Sequence, residues 1–361
     1  MKIGIITYHF AQNYGSVLQC YALQEYLKNI GYSVEIINFV SDKQEINNSL
    51  SNGLKGKIRS LLFFPINKKR KIKYNKFLSF RKEYLLETKK VSNLKDLKKL
   101  VDLKKYDYII SGSDQVFNPN INDFDLSFVF PFETSAKKIA YAASLGNAKE
   151  KELKILKKYL IDFNKISLRE SGDKDVFEES TGLETDIVCD PVFLLSKNKW
   201  IEILNHIEDN YKINGRYLLC YFIHKDYMRK SIKVAKKIAK EKKLKIIFIN
   251  AGYNFNSLKR DTIVDCGPCD FLKLFQNAEY ICTDSFHGTS FSTILNKNFT
   301  CVDSKSNLTD KRRLSLLDKL ALEHRYVYVE NDNISLNDID FTKTNSIIEN
   351  YSNESKDFLS L

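Results

Sequence analysis

The sequence predicts an α/β protein of two Rossmann-like, doubly wound lobes that face each other across a cleft. Its 361 residues exceed the roughly 250 to 300 at which a single hydrophobic core stops growing, so two lobes are expected. With 43% apolar and 28% charged residues, the chain is neither disordered nor fibrous. Along both halves, short apolar runs typical of strands alternate with helical patterns, and that alternation builds parallel sheets.

The first lobe is expected over residues 1–190. It opens with the strand KIGIITY, the turn HFAQNYG, the helix SVLQCYALQEYLKNIG and the strand YSVEIINF, which form a βαβ unit. A basic helical arm is expected at about residues 41–105. Further elements are predicted in this order: a strand at 106–110, the strand IAYAASLG, a helix at 150–164 and the strand ISLRE. Pro191 marks the boundary between the lobes.

The second lobe is expected over residues 191–330, followed by a helical tail at 331–361. Its predicted elements are the strand RYLLCYFI, a helix at 226–240, the strand LKIIFIN, a helix at 270–276, the strand EYICTDS, the helix HGTSFSTILN and the strand FTCVD. In two doubly wound lobes the ligand cleft lies where the carboxyl ends of both sets of strands meet. The loops that follow the strands are therefore where functional residues are expected.

The formal net charge of +12 comes from one segment. Residues 41–110 contain 19 Lys and Arg against 7 Asp and Glu, which leaves 38 of each kind elsewhere. There, bases are interleaved with an apolar cluster at 61–66, a pattern typical of an element at an anionic membrane surface. The alternative is a solvated helical arm that packs on its own lobe. Nucleic acid is not expected as a partner, because no binding motif accompanies the bases.

The seven cysteines are odd in number and most lie in apolar segments, which favours reduced, buried thiols. No signal-peptide pattern opens the chain and no apolar run approaches the roughly 18 to 20 residues of a membrane span. We expect a cytoplasmic protein whose only membrane contact is peripheral, at the inner face of the cell membrane. Cys266-Gly267-Pro268-Cys269 matches the thioredoxin tetrad, with Cys269 at a helix start that favours a thiolate. Redox function is disfavoured because the preceding tryptophan is missing.

The loop TDSFHGTSFST, residues 283–293, carries the strongest functional signal. His287 is expected at a strand's carboxyl end beside a helix N-terminus, where the amides of Gly288, Thr289 and Ser290 favour an anion. His287 could then donate a proton or a hydrogen bond to that anion. A capping histidine bonded locally is the alternative.

Two loops of the first lobe are expected to face this histidine. In HFAQNYGS, Gly15 permits close backbone approach and Ser16 caps the helix, which leaves Asn13 and Tyr14 at the cleft. A plain helix cap explains this loop equally well. In SGSDQVFNP, residues 111–119, polar side chains crowd a strand end, and Asp114 is the carboxylate best placed as a base or hydroxyl acceptor. An Asx-turn is the alternative there.

Five segments, in this order, resemble the polysaccharide pyruvyl transferase family: GIITYHFAQNYGSVLQCYALQEYL, SGSDQVFNP, CDPVFLL, TDSFHGTSFSTILNKNF and RRLSLLDKLALEHR. The resemblance runs from about residue 1 to 326. It implies a GT-B-like transferase that moves a pyruvyl group from phosphoenolpyruvate to hydroxyls of a sugar in a surface or capsular polysaccharide precursor, often lipid-linked. The products are a pyruvate ketal and free phosphate, and neither a cofactor nor a metal is expected.

The resemblance also implies a donor pocket made by a histidine and arginines. By motif these are His287, Arg169 and either Arg312 or Arg313, and we expect Ser285, Gly288 and Thr289 to complete the donor site. His287 is the expected general acid, and Asp114 is expected to orient or deprotonate the acceptor. The residues expected to contact the acceptor are Asn13, Tyr14, Gly15, Gln115 and Asn118.

Two other functions are compatible with the same sequence. A nucleotide-sugar glycosyltransferase would have the same two-lobed architecture, because a fold does not determine a function. A non-catalytic glycan-binding protein would keep the histidine and the arginines as structural residues. Binding of a nucleotide-sugar would favour the first, and failure to release phosphate with any acceptor would favour the second.

Overall fold

Two parallel six-stranded sheets organise the chain in the computed structural model, which describes residues 1–41, 64–122, 125–205, 207–208, 210–251, 261–306, 312–331 and 334–361. The strands of the first sheet are β1 (Lys2–Ile6), β2 (Ser33–Ile36), β3 (Tyr108–Ser111), β4 (Lys137–Ala143), β5 (Phe163–Leu168) and β6 (Asp186–Ile187). Those of the second are β7 (Tyr217–Phe222), β8 (Lys245–Asn250), β9 (Thr262–Ile263), β10 (Tyr280–Thr283), β11 (Asn298–Asp303) and β12 (Tyr326–Tyr328). The alternating pattern of the sequence thus forms two doubly wound lobes.

Helices connect the strands on both faces of each sheet. In chain order they are α1 (Tyr14–Asn29), α2 (Phe64–Tyr84), α3 (Leu94–Lys104), α4 (Pro119–Asn122), α5 (Glu150–Leu160), α6 (Lys174–Thr181), α7 (Lys197–Glu202), α8 (Met228–Lys242), α9 (Pro268–Asn277), α10 (Phe286–Ile294), α11 (Arg312–Lys319) and α12 (Phe341–Phe358). Short 3-10 turns lie at Leu126–Val129, Ser171–Asp173, Pro191–Phe193 and Glu323–Arg325. Within the described residues, no helix is long and apolar enough to cross a membrane.

Strand order determines where a ligand can bind. The first sheet runs β2-β1-β3-β4-β5-β6 and the second runs β12-β11-β10-β7-β8-β9. In the first sheet the strand order reverses between β1 and β3, and in the second sheet it reverses between β7 and β10. At such a switch point a crevice opens at the carboxyl ends of the strands. The residues after these four strands are therefore the candidates for function.

Helix α1 connects the two lobes. The helix is buried on all sides from Tyr14 to Gln24. Tyr14 stacks on Phe271 of α9 with ring centroids 4.6 Å apart, and its hydroxyl donates to the Cys266 carbonyl at 3.0 Å. One hydrophobic core thus contains residues of both lobes.

The basic arm contributes α2, which packs between the lobes. Lys73 is 2% exposed, lies 4.6 Å above the Tyr14 ring and donates to the Asn250 carbonyl of the second lobe at 3.3 Å. Lys76 forms an ion pair with Asp270 of α9 at 2.7 Å. These two bases are therefore not available to a membrane. The apolar cluster at 61–66, on which the membrane interpretation depends, lies outside the residues whose side chains are described.

The tail contains α12, which returns to the first lobe. The Tyr351 hydroxyl donates to the Val188 carbonyl at 3.1 Å, and Ser355 accepts from the Cys189 amide at 2.8 Å. These contacts hold the segment that leads out of β6, so the tail supports the residues that lie between the lobes.

Candidate active site

Helix α10 brings His287 to the cleft. Ser285 caps the helix by accepting from the Gly288 amide at 3.3 Å, and all nine residues of α10 are buried. A Cβ atom on Gly288 would lie 2.3 Å from Thr283 Oγ1, so glycine lets α10 approach the end of β10 closely. This explains the spacing of Ser285, His287 and Gly288 in the motif.

The capping geometry corrects one expectation. The amides of Gly288 and Thr289 donate to the Ser285 side chain and carbonyl, at 3.3 and 2.9 Å, and are not available to an anion. The amides of Phe286 and His287 precede the first bond of the helix, so the positive end of α10 begins two residues earlier than the sequence pattern suggests. Ser285, Gly288 and Thr289 shape the helix start, and their contact with a donor stays a prediction.

Two neighbours fix the His287 ring. Its Nδ1 edge rests against the N-terminus of α1, where a Cβ atom on Gly15 would lie 1.9 Å away. Its Nε2 lies 3.4 Å from an Asp190 carboxylate oxygen, and the side chain is 11% exposed. The Nε2 atom is buried and has no hydrogen-bond partner among the described residues. The sequence-predicted pair of His287 and Gly15 is thus brought together at the junction of the lobes.

Asp190, which sequence reasoning did not select, is the most enclosed carboxylate at this junction. It accepts from Arg169 Nη1 at 2.7 Å, from the Val192 amide at 3.1 Å and from the Ser113 hydroxyl at 3.4 Å. Burial alone would raise the pKa of Asp190, but the positive charges of the neighbouring His287 and Arg169 hold it well below its usual range. Asp190 is therefore ionised at neutral pH. Its signal in the sequence is a polar residue directly after an apolar strand, in Cys189-Asp190-Pro191.

Arg169 follows β5 and is 4% exposed. Its Nε donates to Glu170 at 2.7 Å and its Nη1 to Asp190 at the same distance, while the guanidinium lies 4.3 Å from the centre of the Phe286 ring. Burial lowers the pKa of this guanidinium, but the charges of Glu170 and Asp190 outweigh that effect and raise it. Its Nη2 is buried without a partner among the described residues. One donor is thus left for a ligand.

Asp114 lies at the end of β3, as expected. Its backbone has a φ of 76°, a left-handed conformation that costs a non-glycine residue about 1 to 3 kcal/mol. The Ser16 hydroxyl donates to its Oδ2 at 2.6 Å, and the Gln115 amide donates to its Oδ1 at 3.0 Å. Strain of this kind clusters at functional sites, and here it points the carboxylate towards α1.

The two adjacent arginines of α11 occupy different environments. Arg313 is fully buried, pairs with Asp303 at 2.7 Å and donates to the Asp284 and Val302 carbonyls at 2.6 and 2.8 Å. Arg312 lines a small open pocket of about 30 Å³ between α11 and the first lobe. The other residues that line this cavity include Arg169, Asp190, Phe286, Ser315 and Lys319. Arg312 rather than Arg313 therefore reaches the candidate donor site, whereas Arg313 holds the loops after β10 and β11.

The other residues expected at the acceptor site have structural contacts. Asn13, not Ser16, caps α1 by accepting from the Gly15 amide at 2.9 Å, because the helix begins at Tyr14 and Ser16 lies inside its first turn. Tyr14 points into the second lobe and is 1% exposed, so it does not face open space in the cleft. Asn118 donates to Gln115 at 2.6 Å, and both pack against Gly146. Contact of these residues with an acceptor stays a prediction.

The cysteine tetrad lies away from this cluster, at the start of α9. Burial raises the pKa of Cys269 to about 12, which is opposite to the stabilised thiolate expected from its position at a helix start. Both cysteines are unpaired, and Cys266 is fully buried. The tetrad therefore packs the interface of the lobes.

Replacing Gly15 by alanine is expected to displace His287 and to lower turnover by about 100-fold, since a shift of about 1 Å can cost that much. The new Cβ atom would overlap the ring at 1.9 Å, although alanine in a helix otherwise stabilises by about 1 kcal/mol. Steady-state kinetics measure the effect. Gly172→Ala is the matched control, because a Cβ atom there meets no atom within 4 Å. Full activity of the Gly15 variant would show that the ring position is not critical.

Comparison with solved structures identifies the architecture. The UDP-GlcNAc 2-epimerase of Methanocaldococcus jannaschii matches with a TM-score of 0.51 at 14% identity, over 97% of this chain and 92% of that chain. The enzymes of Neisseria meningitidis, bound to UDP-GlcNAc, and Rickettsia bellii each match with a TM-score of 0.51 at 10% identity, over 99% of this chain and 92% and 94% of theirs. At such low identity only the fold is shared, and the expected GT-B-like architecture is confirmed.

Comparison at the sequence level identifies the family. No curated protein sequence is significantly similar to the chain. The profile of the polysaccharide pyruvyl transferase family matches residues 13–306. That range includes Gly15, Asp114, Arg169, Asp190 and His287, and it ends shortly before α11. The chain therefore belongs to the polysaccharide pyruvyl transferase family.

Proposed function

We propose that the protein transfers the pyruvyl group of phosphoenolpyruvate to two hydroxyls of a sugar in a surface or capsular polysaccharide precursor. The observation that carries this proposal is a pocket lined by Arg169, Arg312 and Asp190, with His287 Nε2 3.4 Å from the Asp190 carboxylate, within a chain of this family. Phosphoenolpyruvate brings a carboxylate and a phosphate, and guanidinium groups bind both through charge-assisted hydrogen bonds.

The donor is expected in the cavity lined by Arg312, with the methylene carbon towards His287. The unpartnered Nη2 of Arg169, the Arg312 side chain and Lys319 supply positive charge along this wall. The start of α10 adds the partial positive charge of a helix N-terminus. Such groups are already in place before the reaction, so they stabilise charge as it develops without reorganisation.

The proposed reaction has three steps. His287 protonates the methylene carbon, which becomes the methyl group and leaves an oxocarbenium-like centre at the neighbouring carbon. A sugar hydroxyl attacks this centre and passes its proton to Asp114. Phosphate then leaves with its bonding electron pair and takes the proton from Asp114, and a second hydroxyl of the same sugar attacks to close the ketal ring and returns its proton to His287. The hydrogen bond from Ser16 keeps the Asp114 carboxylate oriented for its role.

Membership of the family implies a sugar acceptor but does not identify the sugar or its place in the cell. A lipid-linked acceptor would bring the protein to the inner face of the membrane, where each exposed lysine is worth about 1 kcal/mol. On α2 the bases Lys68, Lys69 and Lys71 are exposed and suit such contact, whereas Lys73 and Lys76 are buried or paired. Peripheral membrane contact stays a prediction.

Phosphoenolpyruvate is expected to stabilise the folded protein selectively. A ligand at 100 times its Kd raises the free energy of unfolding by about 2.7 kcal/mol, which a thermal-shift titration detects. Arg312→Met should lose most of this shift. Arg216→Met is the matched control, because Arg216 forms an exposed ion pair with Glu279 at the surface.

The same titration separates the rival functions. Inorganic phosphate tests whether an anion alone suffices, and UDP- and GDP-sugars test the glycosyltransferase alternative. A shift only with a nucleotide-sugar would replace the proposed function by glycosyl transfer. No shift with any of these compounds, together with no phosphate release when a sugar acceptor is present, would favour a glycan-binding protein.

A further inference from the structure

We infer that Asp190 is a positioning residue that fixes the tautomer of His287, with the proton of the neutral ring on Nε2 and Nδ1 as the nitrogen that exchanges protons with substrate. The inference begins from the 3.4 Å separation of Nε2 and an Asp190 oxygen in an enclosed junction where neither group faces bulk water. The assignment of the tautomer is independent of the proposed function, whereas the role of Nδ1 in transfer rests on it.

The first step concerns the charge on Asp190. Its carboxylate accepts from the Arg169 guanidinium and the Val192 amide, and the Ser113 hydroxyl, which also donates to the Ala142 carbonyl at 3.0 Å, lies 3.4 Å away. The guanidinium and the amide are both donors, and an ionised carboxylate accepts from both at once. A negatively charged oxygen therefore faces Nε2 at neutral pH.

The second step concerns the ring. In a neutral imidazole one nitrogen carries a proton and the other a lone pair. A lone pair on Nε2 would face the carboxylate oxygen at 3.4 Å and would repel it, inside a medium that screens charge poorly. An N–H on Nε2 attracts the same oxygen. The carboxylate thus selects the Nε2–H tautomer, in the way that the partner of one ring nitrogen generally determines the state of the other.

The third step concerns the remaining nitrogen. Nδ1 then carries the lone pair when the ring is neutral and a proton when it is charged. It lies on the ring edge that packs against Gly15, where the absence of a side chain lets the ring approach the start of α1. The imidazolium form is stabilised by Asp190 on the Nε2 side and carries Nδ1–H on the other side. Asp190 lines the proposed donor pocket, and its effect on the proton transfer acts through His287.

The tautomer can be read directly by NMR. The chain has five histidines, so selective ¹⁵N labelling gives few signals, and the signal lost in His287→Gln identifies this ring. Long-range ¹H–¹⁵N spectra distinguish a protonated nitrogen from one with a lone pair. We expect Nε2 protonated and Nδ1 unprotonated in the neutral ring of the wild-type protein. The opposite tautomer in the wild type would overturn the inference without any variant.

A matched pair of variants tests the cause. Asp190→Asn and Glu170→Gln each remove one buried carboxylate partner of Arg169, at the same 2.7 Å distance, but only Asp190 faces His287. We expect Asp190→Asn to populate both tautomers and Glu170→Gln to keep the wild-type spectrum, with similar losses in melting temperature. A wild-type spectrum in both variants would show that Asp190 does not determine the tautomer.

Kinetics then separate this inference from the proposed function. In Asp190→Asn we expect kcat to fall by about 100-fold relative to Glu170→Gln, because both variants remove a carboxylate from the donor-binding Arg169 and only Asp190→Asn disturbs His287. If Asp190→Asn changes the tautomer of His287 but the wild-type protein transfers no pyruvyl group, the proposed function is refuted and the positioning role of Asp190 stands. A tautomer change with unaltered kcat would overturn the assignment of Nδ1 as the proton-exchanging nitrogen.

Discussion

Replacing His287 by glutamine is expected to lower phosphate release from phosphoenolpyruvate by about 10² to 10⁴-fold, the usual contribution of a general acid. Glutamine can donate a hydrogen bond from a similar position but cannot transfer a proton to carbon. Because donor binding is assigned to the arginines, we expect the thermal shift with phosphoenolpyruvate to change little. The measurement is phosphate release in the presence of sugar acceptors, combined with the titration described above.

His324→Gln is the control for this variant. His324 lies in the turn Glu323–Arg325, outside the cleft, and its replacement by the same side chain should leave turnover unchanged within about twofold. Full turnover of His287→Gln with wild-type donor affinity would show that another group protonates the methylene carbon. Loss of the thermal shift instead would mean that His287 binds the donor rather than acting in the chemical step.

Replacing Arg313 by methionine is expected to destabilise the fold by about 3 to 5 kcal/mol, the usual cost of leaving a buried charge unpaired. The guanidinium and its Asp303 partner are both fully buried. Burial already raises the pKa of nearby Asp284 to about 7, and its carboxylate accepts from the amides of Ile223 and His224 at 2.6 and 3.1 Å. Loss of Arg313 would remove the main positive charge that compensates both carboxylates. Urea unfolding measures the change.

Arg312→Met provides the contrast on the same helix. Arg312 is only partly buried, so its replacement should cost less than about 1 kcal/mol in the free energy of unfolding. It should nevertheless lose the response to phosphoenolpyruvate, which the Arg313 variant should keep wherever it stays folded. A stability loss below about 1 kcal/mol for Arg313→Met would contradict the structural role of that residue.

Much of the fold could be predicted because the apolar periodicity of each element is local. The alternation of strands and helices and the two-lobed arrangement follow from that pattern. Element ends follow it less closely, as the helix expected at 226–240 shows by lying at Met228–Lys242. The start of α1 also differs from the prediction. Asn13 and Ser16 are both good capping residues, and only the backbone conformation decides which of them caps the helix.

The candidate site could be predicted in part, because strand ends gather at one edge of a parallel sheet. His287, Asp114 and Arg169 all follow strands, and the structure places them at the junction of the lobes. Asp190 was missed because its partner comes from the other lobe, and no local pattern shows that contact. Arg313 could not be told from Arg312, since one residue of helical rotation separates a buried position from a partly exposed one.

The burial of helix α1 limits how the two lobes can move relative to each other. A hinge needs a segment that can change its backbone angles without breaking tight packing, and a helix buried on every side by two lobes does not meet that need. Rotation of one lobe against the other would have to pull Tyr14 out of its stack on Phe271. Under the proposed function, we therefore expect donor binding without rotation of one lobe against the other, so that discrimination between donors depends on their fit to a fixed junction.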